Sequence, residues 1–441
     1  MKRLLSLLLC AVLALFCATT AQAAGVSITL TASEYALHYA FDAGAQDPFV
    51  ILEYATPAEK GWMMLYSADG RFEGDIALAY SGAGGKTSVA LTSARTTGSI
   101  GKTSTTLPKA ADYQKPTGKS NAKVTDFVLT ETPEGFHYAF NAIGTDYMLL
   151  YWRSKEQTVT QPVYPDENGH YEGDVISDLT FARTQFTVQV KSGSGSMKKE
   201  ATVRKGYQAP EAPQRQEGRL SGVTVCIDAG HQENGRFVNE PIGPGLSGST
   251  SGKGGMAQGT KTNRRESIVC LEIGMLLRDE LLRQGANVIM TREDQTTFHT
   301  NIERCEIAEA GGAQIMLRLH CNNSSNRSKR GIQVYGPLNS DYAKAVADAD
   351  TYREMGQKLL DAMKTRVGMT LANSTGMVRL NDNYVGNNWA KMMCFLVEMG
   401  YLSNPAEEYL LVTPVYQQWL AEGMADGVYE IAVARGWVQA Q

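Results

Sequence analysis

Val223-Thr224-Val225-Cys226-Ile227-Asp228-Ala229-Gly230-His231 is an apolar run of strand length that ends on a carboxylate, two small residues and an imidazole. Beyond it, apolar runs alternate with segments of helical period, which predicts an α/β domain over residues 219–441 with strands flanked by helices. Open α/β sheets gather their ligands at the carboxyl ends of strands. His231 therefore stands where chemistry is expected, with Ala229 and Gly230 leaving room around it. A loop rich in Gly, Ser and Pro follows from Gln232 to about Thr262, and a helix is expected from near Asn263. Its apolar face is read from Ile268, Leu271, Met275, Leu276 and Leu282. Three carboxylates on that helix compete as ligands. Glu266 lies off the apolar face in the first turn, while Glu272 and Glu280 lie farther from the helix start that faces the strand ends.

Asn287-Val288-Ile289-Met290-Thr291-Arg292 reads as a second strand and the stretch from Ile302 to Ala310 as a helix. Ile315-Met316-Leu317-Arg318-Leu319 is a third strand, which delivers His320, the second imidazole at a strand end. Cys321 is expected on the opposite side of that strand, and His299, with no strand-end placement, is assigned to the surface or a structural contact. Cys394-Phe395-Leu396-Val397-Glu398 finishes on a carboxylate whose burial is costly unless a cation compensates it. Two imidazoles and one carboxylate form the set that holds catalytic zinc with a coordination place open for water. Glu398 suits the proton transfers beside such an ion.

These pieces carry a resemblance. Ile227-Asp228-Ala229-Gly230-His231-Gln232, the Glu266 segment, Met290-Thr291-Arg292, Arg318-Leu319-His320-Cys321-Asn322-Asn323 and Leu396-Val397-Glu398-Met399-Gly400-Tyr401-Leu402-Ser403-Asn404 occur in one order. Together they make residues 219–441 resemble the zinc-dependent N-acetylmuramoyl-L-alanine amidases of the AmiC and CwlV type. The resemblance implies one zinc ion held by His231, Glu266 and His320, and Glu398 as the catalytic glutamate. It also implies peptidoglycan as substrate, cut between N-acetylmuramic acid and L-alanine. Where many members have Pro-Gly-His-Gly-Gly this chain has Ala229-Gly230-His231-Gln232-Glu233, and Cys321 stands where Ala is common; neither change removes a ligand. The 232–262 loop resembles an insertion found in a subset of members, read as a lid or substrate guide against a passive insertion. Two rival readings are a zinc carboxypeptidase acting on another wall amide and a wall-binding protein with an inactive catalytic fold.

The N-terminal half has a different grammar. Leu37-His38-Tyr39-Ala40-Phe41-Asp42-Ala43 returns as Phe136-His137-Tyr138-Ala139-Phe140-Asn141-Ala142, and Phe72-Glu73-Gly74-Asp75-Ile76 returns as Tyr171-Glu172-Gly173-Asp174-Val175, both at an offset of 99 residues. Short alternating segments bounded by Gly, Asp and Asn turns predict two tandem all-β sandwiches, immunoglobulin-like or fibronectin-like, over residues 24–115 and 120–208. A linker is expected over 209–218. His38 and His137 are read as structural strand positions and His170 as a solvated turn residue. The modules are expected to bind the wall or a protein partner, or to space the catalytic domain from a surface.

Lys2 and Arg3, the apolar stretch from Leu4 to Ala18 and Ala21-Gln22-Ala23 make residues 1–23 a signal peptide cleaved after Ala23. A secreted or periplasmic protein without a membrane span after cleavage is the consequence. Lys and Arg total 42 against 46 Asp and Glu in 441 residues, a net charge of -4 with no long block of one sign, which speaks against a nucleic-acid partner. Five cysteines remain after the signal segment; an odd number without a repeated framework predicts buried thiols rather than a disulfide scaffold.

Overall fold

The computed structural model describes residues 19–21, 25–33, 36–57, 60–78, 84–96, 98–109, 122–132, 135–145, 148–153, 158–163, 165–176, 184–192, 196–205, 211–232, 238–250, 255–262, 264–367 and 377–440. The expected signal segment lies outside the described residues except for 19–21. The chain divides into two compact units, an N-terminal one of strands and a C-terminal one that includes residues 204–441.

The first half of the N-terminal unit carries β1 (Thr19–Ala21), β2 (Ile28–Ala32), β3 (Ala36–Asp42), β4 (Phe49–Ala55), β5 (Lys60–Tyr66), β6 (Arg71–Ala77), β7 (Gly85–Ser93) and β8 (Ser99–Leu107). They pair in sheets of order β1-β2-β3-β6 and β5-β4-β7-β8. β2 and β3 bury alternate residues, as a strand with one face on a core must. Ile28, Leu30, Leu37 and Phe72 of one sheet share a single core with Val50, Leu52, Val89 and Leu91 of the other.

The second half carries β9 (Lys123–Thr132), β10 (Gly135–Ile143), β11 (Met148–Arg153), β12 (Thr158–Val163), β13 (His170–Ile176), β14 (Thr184–Ser192) and β15 (Met197–Lys205). Its sheets, β13-β10-β9 and β12-β11-β14-β15, have the order of the first half shifted by seven strands, except that β1 has no counterpart. Phe136 of β10 lies 6.1 Å from Trp152 and 5.1 Å from Phe186, centroid to centroid, so aromatic rings join the two sheets. The correspondence extends to side chains. His38 Nδ1 lies 3.0 Å from Asp75 Oδ1, and His137 Nδ1 lies 2.9 Å from Asp174 Oδ1. His170 is not simply solvated: its Nδ1 is 2.8 Å from Asn141 Oδ1.

The C-terminal unit holds one six-stranded sheet. Its strands are β16 (Thr224–Ala229), β17 (Asn287–Met290), β18 (Ile315–Asn322), β19 (Gln333–Gly336), β20 (Met377–Leu380) and β21 (Met393–Tyr401). Their order is β17-β16-β18-β21-β19-β20, parallel throughout except where β19 meets β21. The helices are α1 (Glu266–Arg283), α2 (Asn301–Ala310), α3 (Asp341–Val346), α4 (Ala349–Val367), α5 (Val385–Trp389), α6 (Glu407–Leu411) and α7 (Pro414–Ala434). Cys305 and Ala308 of α2 pack with Cys226, Met316 and Cys394 of the sheet. The five cysteines among the described residues are buried thiols.

α1 begins at Glu266 itself, later than the expected start near Asn263, and its buried face differs from the one read in the sequence. The expected Leu271 and Met275 are buried, and so are Val269, Ile273, Leu277 and Leu281, while the expected Ile268, Leu276 and Leu282 are half-buried. The cause is that α1 is held between the sheet and α7, so two of its sides are covered. The described end of the expected linker also docks on this helix: Gln216 N donates to Leu282 O at 3.0 Å and Arg215 Nη1 to Gly285 O at 3.0 Å.

A buried charge cluster organises the carboxyl end of β16. Asp228 has no exposure and accepts from Arg318 Nε at 2.9 Å, from Thr291 Oγ1 at 2.7 Å and from Arg304 Nη1. Burial alone pushes its carboxyl up, but the Arg304 and Arg318 guanidiniums overcome that and hold it well below the usual carboxylate range. Asp228→Asn leaves two buried guanidiniums uncompensated and is expected to cost about 3–5 kcal/mol in urea denaturation at neutral pH. Because the folded-state pKa is depressed, this deficit is full at neutral pH and shrinks as pH falls below about 4, where the unfolded carboxylate takes up its proton. A deficit that does not change with pH would show that lost packing, not the charge, is the cause.

Candidate metal centre

β16 ends at Ala229, and the chain turns sharply so that His231 adopts φ +56°, the left-handed region that a non-glycine residue occupies at a cost. Two guanidiniums hold the turn. Arg292 donates from Nε to Ala229 O at 2.8 Å, and from Nη2 to Gly230 O at 2.8 Å and Ser267 O at 2.7 Å. Arg304 donates from Nη1 to Ala229 O at 3.0 Å and from Nη2 to His231 O at 3.2 Å. Arg292 thereby ties the His231 turn to the first turn of α1, which carries Glu266. Burial, with Arg304 nearby, brings the Arg292 guanidinium down to about 10.

The three expected ligands converge. His231 Nε2 is 3.1 Å and His320 Nδ1 is 3.0 Å from the same oxygen, Glu266 Oε1, and the two imidazoles meet edge to face with centroids 4.9 Å apart. One donor atom from each residue falls within 4.8 Å of the others, and among the described residues this is the one such cluster of at least three. Glu266 is also oriented by the backbone: Cys321 N donates to Oε1 at 3.0 Å and Ala257 N to Oε2 at 2.7 Å. Burial opposes its ionisation, but the hydrogen bonds and charges of His231 and His320 keep its carboxyl well below the usual range. Burial lowers the pKa of His320, which favours the neutral imidazole that a metal needs. A buried carboxylate facing two imidazoles, each fixed by its own element, fits a divalent cation of the zinc type.

Gly230 serves a different purpose from the one read in the sequence. A Cβ there would come within 2.6 Å of the His320 ring and 2.4 Å of Leu319 O, so the missing side chain makes room for His320 rather than for His231. The rival carboxylates are engaged elsewhere. Glu272 accepts from Arg264 and Gln417, and Glu280 from Arg283 and Gln284. The Cys321 thiol is buried against Cys270 and is not part of the ligand cluster. His299 contributes its backbone oxygen to Arg304 Nε at 3.3 Å.

Glu398 sits directly across from His320 in the register of β21 on β18. Its Oε2 is buried with no hydrogen-bond partner among the described residues. Burial, and then the charge of Glu266, pushes its carboxyl up to about 8. Such a group beside the cluster can exchange a proton near neutral pH. Sequence reasoning missed Arg292 and Arg304 as the groups that fix the His231 turn. The available signal was an arginine at the end of an apolar strand and another inside a half-buried helix.

The expected lid loop is anchored at several described points. Glu240 accepts from Asn301 Nδ2 at 2.6 Å and Ile302 N at 2.8 Å, at the start of α2. Glu408 accepts from Thr260 Oγ1 at 3.1 Å and Lys261 N at 2.9 Å.

Residues 225–430 match the family model described as N-acetylmuramoyl-L-alanine amidase. The chain is 26% identical over 231 residues to the germination-specific N-acetylmuramoyl-L-alanine amidase of Bacillus subtilis (strain 168), an overlap of 49% of this chain and 83% of that protein. It is 27% identical over 218 residues to the probable cell wall amidase LytH of Staphylococcus aureus, covering 48% of this chain and 60% of that one. Among solved structures it is similar to the amidase Ami1 from Mycobacterium abscessus, at 20% identity and a TM-score of 0.43, covering 48% of this chain and 99% of that one. The C-terminal domain of this chain, over residues 225–430, belongs to the N-acetylmuramoyl-L-alanine amidase family.

Proposed function

We propose that the protein is an exported zinc-dependent peptidoglycan hydrolase that cleaves the amide between N-acetylmuramic acid and L-alanine. The observation that carries the reading is the convergence of His231 and His320 on one oxygen of Glu266, with Glu398 opposite His320 on the next strand. His231, Glu266 and His320 would hold the zinc ion. A zinc ion in such a set supplies Lewis acidity to an amide carbonyl and to a water nucleophile. Glu398, through Oε2, takes the proton from the water and passes it to the departing amine of L-alanine. Its burial excludes competing hydrogen bonds, so the oxygen is available to the reactants. Arg292 and Arg304 keep the His231 turn from relaxing when the cluster binds its ion, and Cys321 N and Ala257 N keep Glu266 facing inward.

We assign the N-terminal unit to two tandem sandwiches of the immunoglobulin or fibronectin kind, over residues 24–115 and 120–208. The repeated strand order and the His38–Asp75 and His137–Asp174 pairs at one offset support this. Their role is to hold the enzyme on the wall or on a protein partner there. Export follows from the segment 1–23, and among the described residues no helix is long and apolar enough to cross a membrane.

Purified protein is expected to carry about one zinc per chain by elemental analysis, the stoichiometry of a single catalytic site. Glu398→Gln should keep that zinc and lose about 100-fold or more of wall-clearing activity, in line with removal of a general acid–base. His320→Ala should lose both. Released L-alanine amino termini would identify the amidase, whereas released D-alanine would support a zinc carboxypeptidase. An intact zinc site with no product would support an inactive wall-binding protein. Amino-terminal sequencing of exported material should begin at Ala24, and a retained Met1 would overturn the export reading.

A further inference from the structure

Beside Glu398 the sheet opens into a cavity of about 460 Å³ whose lining includes Asn322, Lys329, Arg330, Gln333, Tyr335 and Arg379. Lys329, Arg330 and Arg379 are the cations of that lining, and no carboxylate is among the described residues that line it, although the charge of Glu407 acts on Arg330 from behind. Resting on the amidase reading, we infer that this cavity binds a carboxylate of the peptide on the amine side of the cleaved bond, and so sets which stem peptides the enzyme accepts.

The register of the sheet places the cavity in line with the chemistry. His320 of β18 is paired with Glu398 of β21, and Glu398 with Gln333 of β19. Residues directly opposite one another project from the same face at a strand spacing of about 4.8 Å. Metal ligand, acid–base group and cavity wall therefore form one row across three strands. One strand farther, Tyr335 is paired with Arg379 of β20. A peptide whose amino end is released at Glu398 and which runs across the strands places its third or fourth residue about 10–14 Å away, which spans the two strands across and two residues along that separate Glu398 from Arg379. A carboxylate there meets a guanidinium able to hold it by charge-assisted hydrogen bonds.

The walls are fixed in place. Glu407 accepts from Gly331 N at 2.7 Å and from Tyr401 N at 2.8 Å, which joins the loop carrying Lys329 and Arg330 to the end of β21. Asn404 Nδ2 donates to Arg327 O at 2.9 Å and Lys329 O at 3.2 Å, and Ser324 N to Ser403 Oγ at 2.9 Å. Gln333 Oε1 accepts from Tyr335 Oη at 2.5 Å and from Asn322 Nδ2 at 3.2 Å. The cations are thus presented on a braced loop and on a strand, which limits the ordering cost of binding.

The test is titration calorimetry on the full chain with two peptides: L-alanyl-γ-D-glutamyl-L-lysine, and the same peptide with every carboxylate amidated. The acidic peptide is expected to bind about 10-fold tighter, the scale of one charge-assisted hydrogen bond. In the variant combining Lys329→Gln and Arg379→Gln, both at exposed positions, it should fall to the level of the amidated one. Equal affinity for the two peptides, no binding of either, or a preference that survives in the double variant would overturn the assignment. Cleavage of a muramyl peptide by the unmodified protein is followed separately. Cleavage without a carboxylate preference removes the cavity assignment alone, and a preference without L-alanine amino termini removes the amidase reading alone.

Discussion

Everything in the catalytic domain depends on a carboxylate that never meets solvent. Asp228 lies at the end of β16, and its charge is what allows Arg304 and Arg318 to be buried beside it. Removing ions from water costs several kcal/mol each unless geometry and hydrogen bonding repay it. Here Arg304, steadied by Asp228, spends its remaining donors on the backbone oxygens of Ala229 and His231. Arg292 does the same for Ala229 and Gly230 and reaches Ser267 on α1. A left-handed His231 survives because both guanidiniums hold it there. Its imidazole then meets Glu266 and His320.

Much of this was legible in the sequence, for a physical reason. An apolar run that stops on a polar residue has a one-dimensional signature, and His231, His320 and Glu398 each follow such a run. Glu266 was not separable from Glu272 and Glu280 by pattern alone, and only the family resemblance chose it. The helix that carries it is covered on two sides, so the amphipathic reading found Leu271 and Met275, which are buried, but also picked Ile268, Leu276 and Leu282, which are half-buried, and passed over Val269 and Ile273, which are fully buried. The guanidinium clamps were invisible because the bonds of Arg292 and Arg304 to the turn and to α1 reach back 25 to 75 residues, a distance over which local periodicity carries no information. The four-residue strands β19 and β20 were missed for a related reason: four residues hold too few alternations to stand out.

The strand-rich character of the N-terminal unit was legible by a different route. A single strand signature is weak, but the same signature returning 99 residues later is hard to produce by chance. The three-dimensional pairing agrees, down to a histidine on β3 or β10 that reaches an aspartate on β6 or β13. Tyr39 and Tyr138 show the same economy. Each phenol occupies the space where a side chain on the facing glycine, Gly74 or Gly173, would otherwise sit. The same pairing of a bulky residue with an absent one occurs at both places.

The reversal of strand direction at β19 has a consequence for how such an enzyme can diversify. In a wholly parallel sheet every loop at the catalytic edge follows a strand, so altering a loop disturbs the end of the element that holds a ligand. Because β19 runs against β21, the segment between Asn322 and Gln333 leaves one strand and enters the next at the same edge. That segment can change length or charge while its two ends stay paired in the sheet. The length and charge of that segment are thereby separable from the row that His320 and Glu398 form across the sheet.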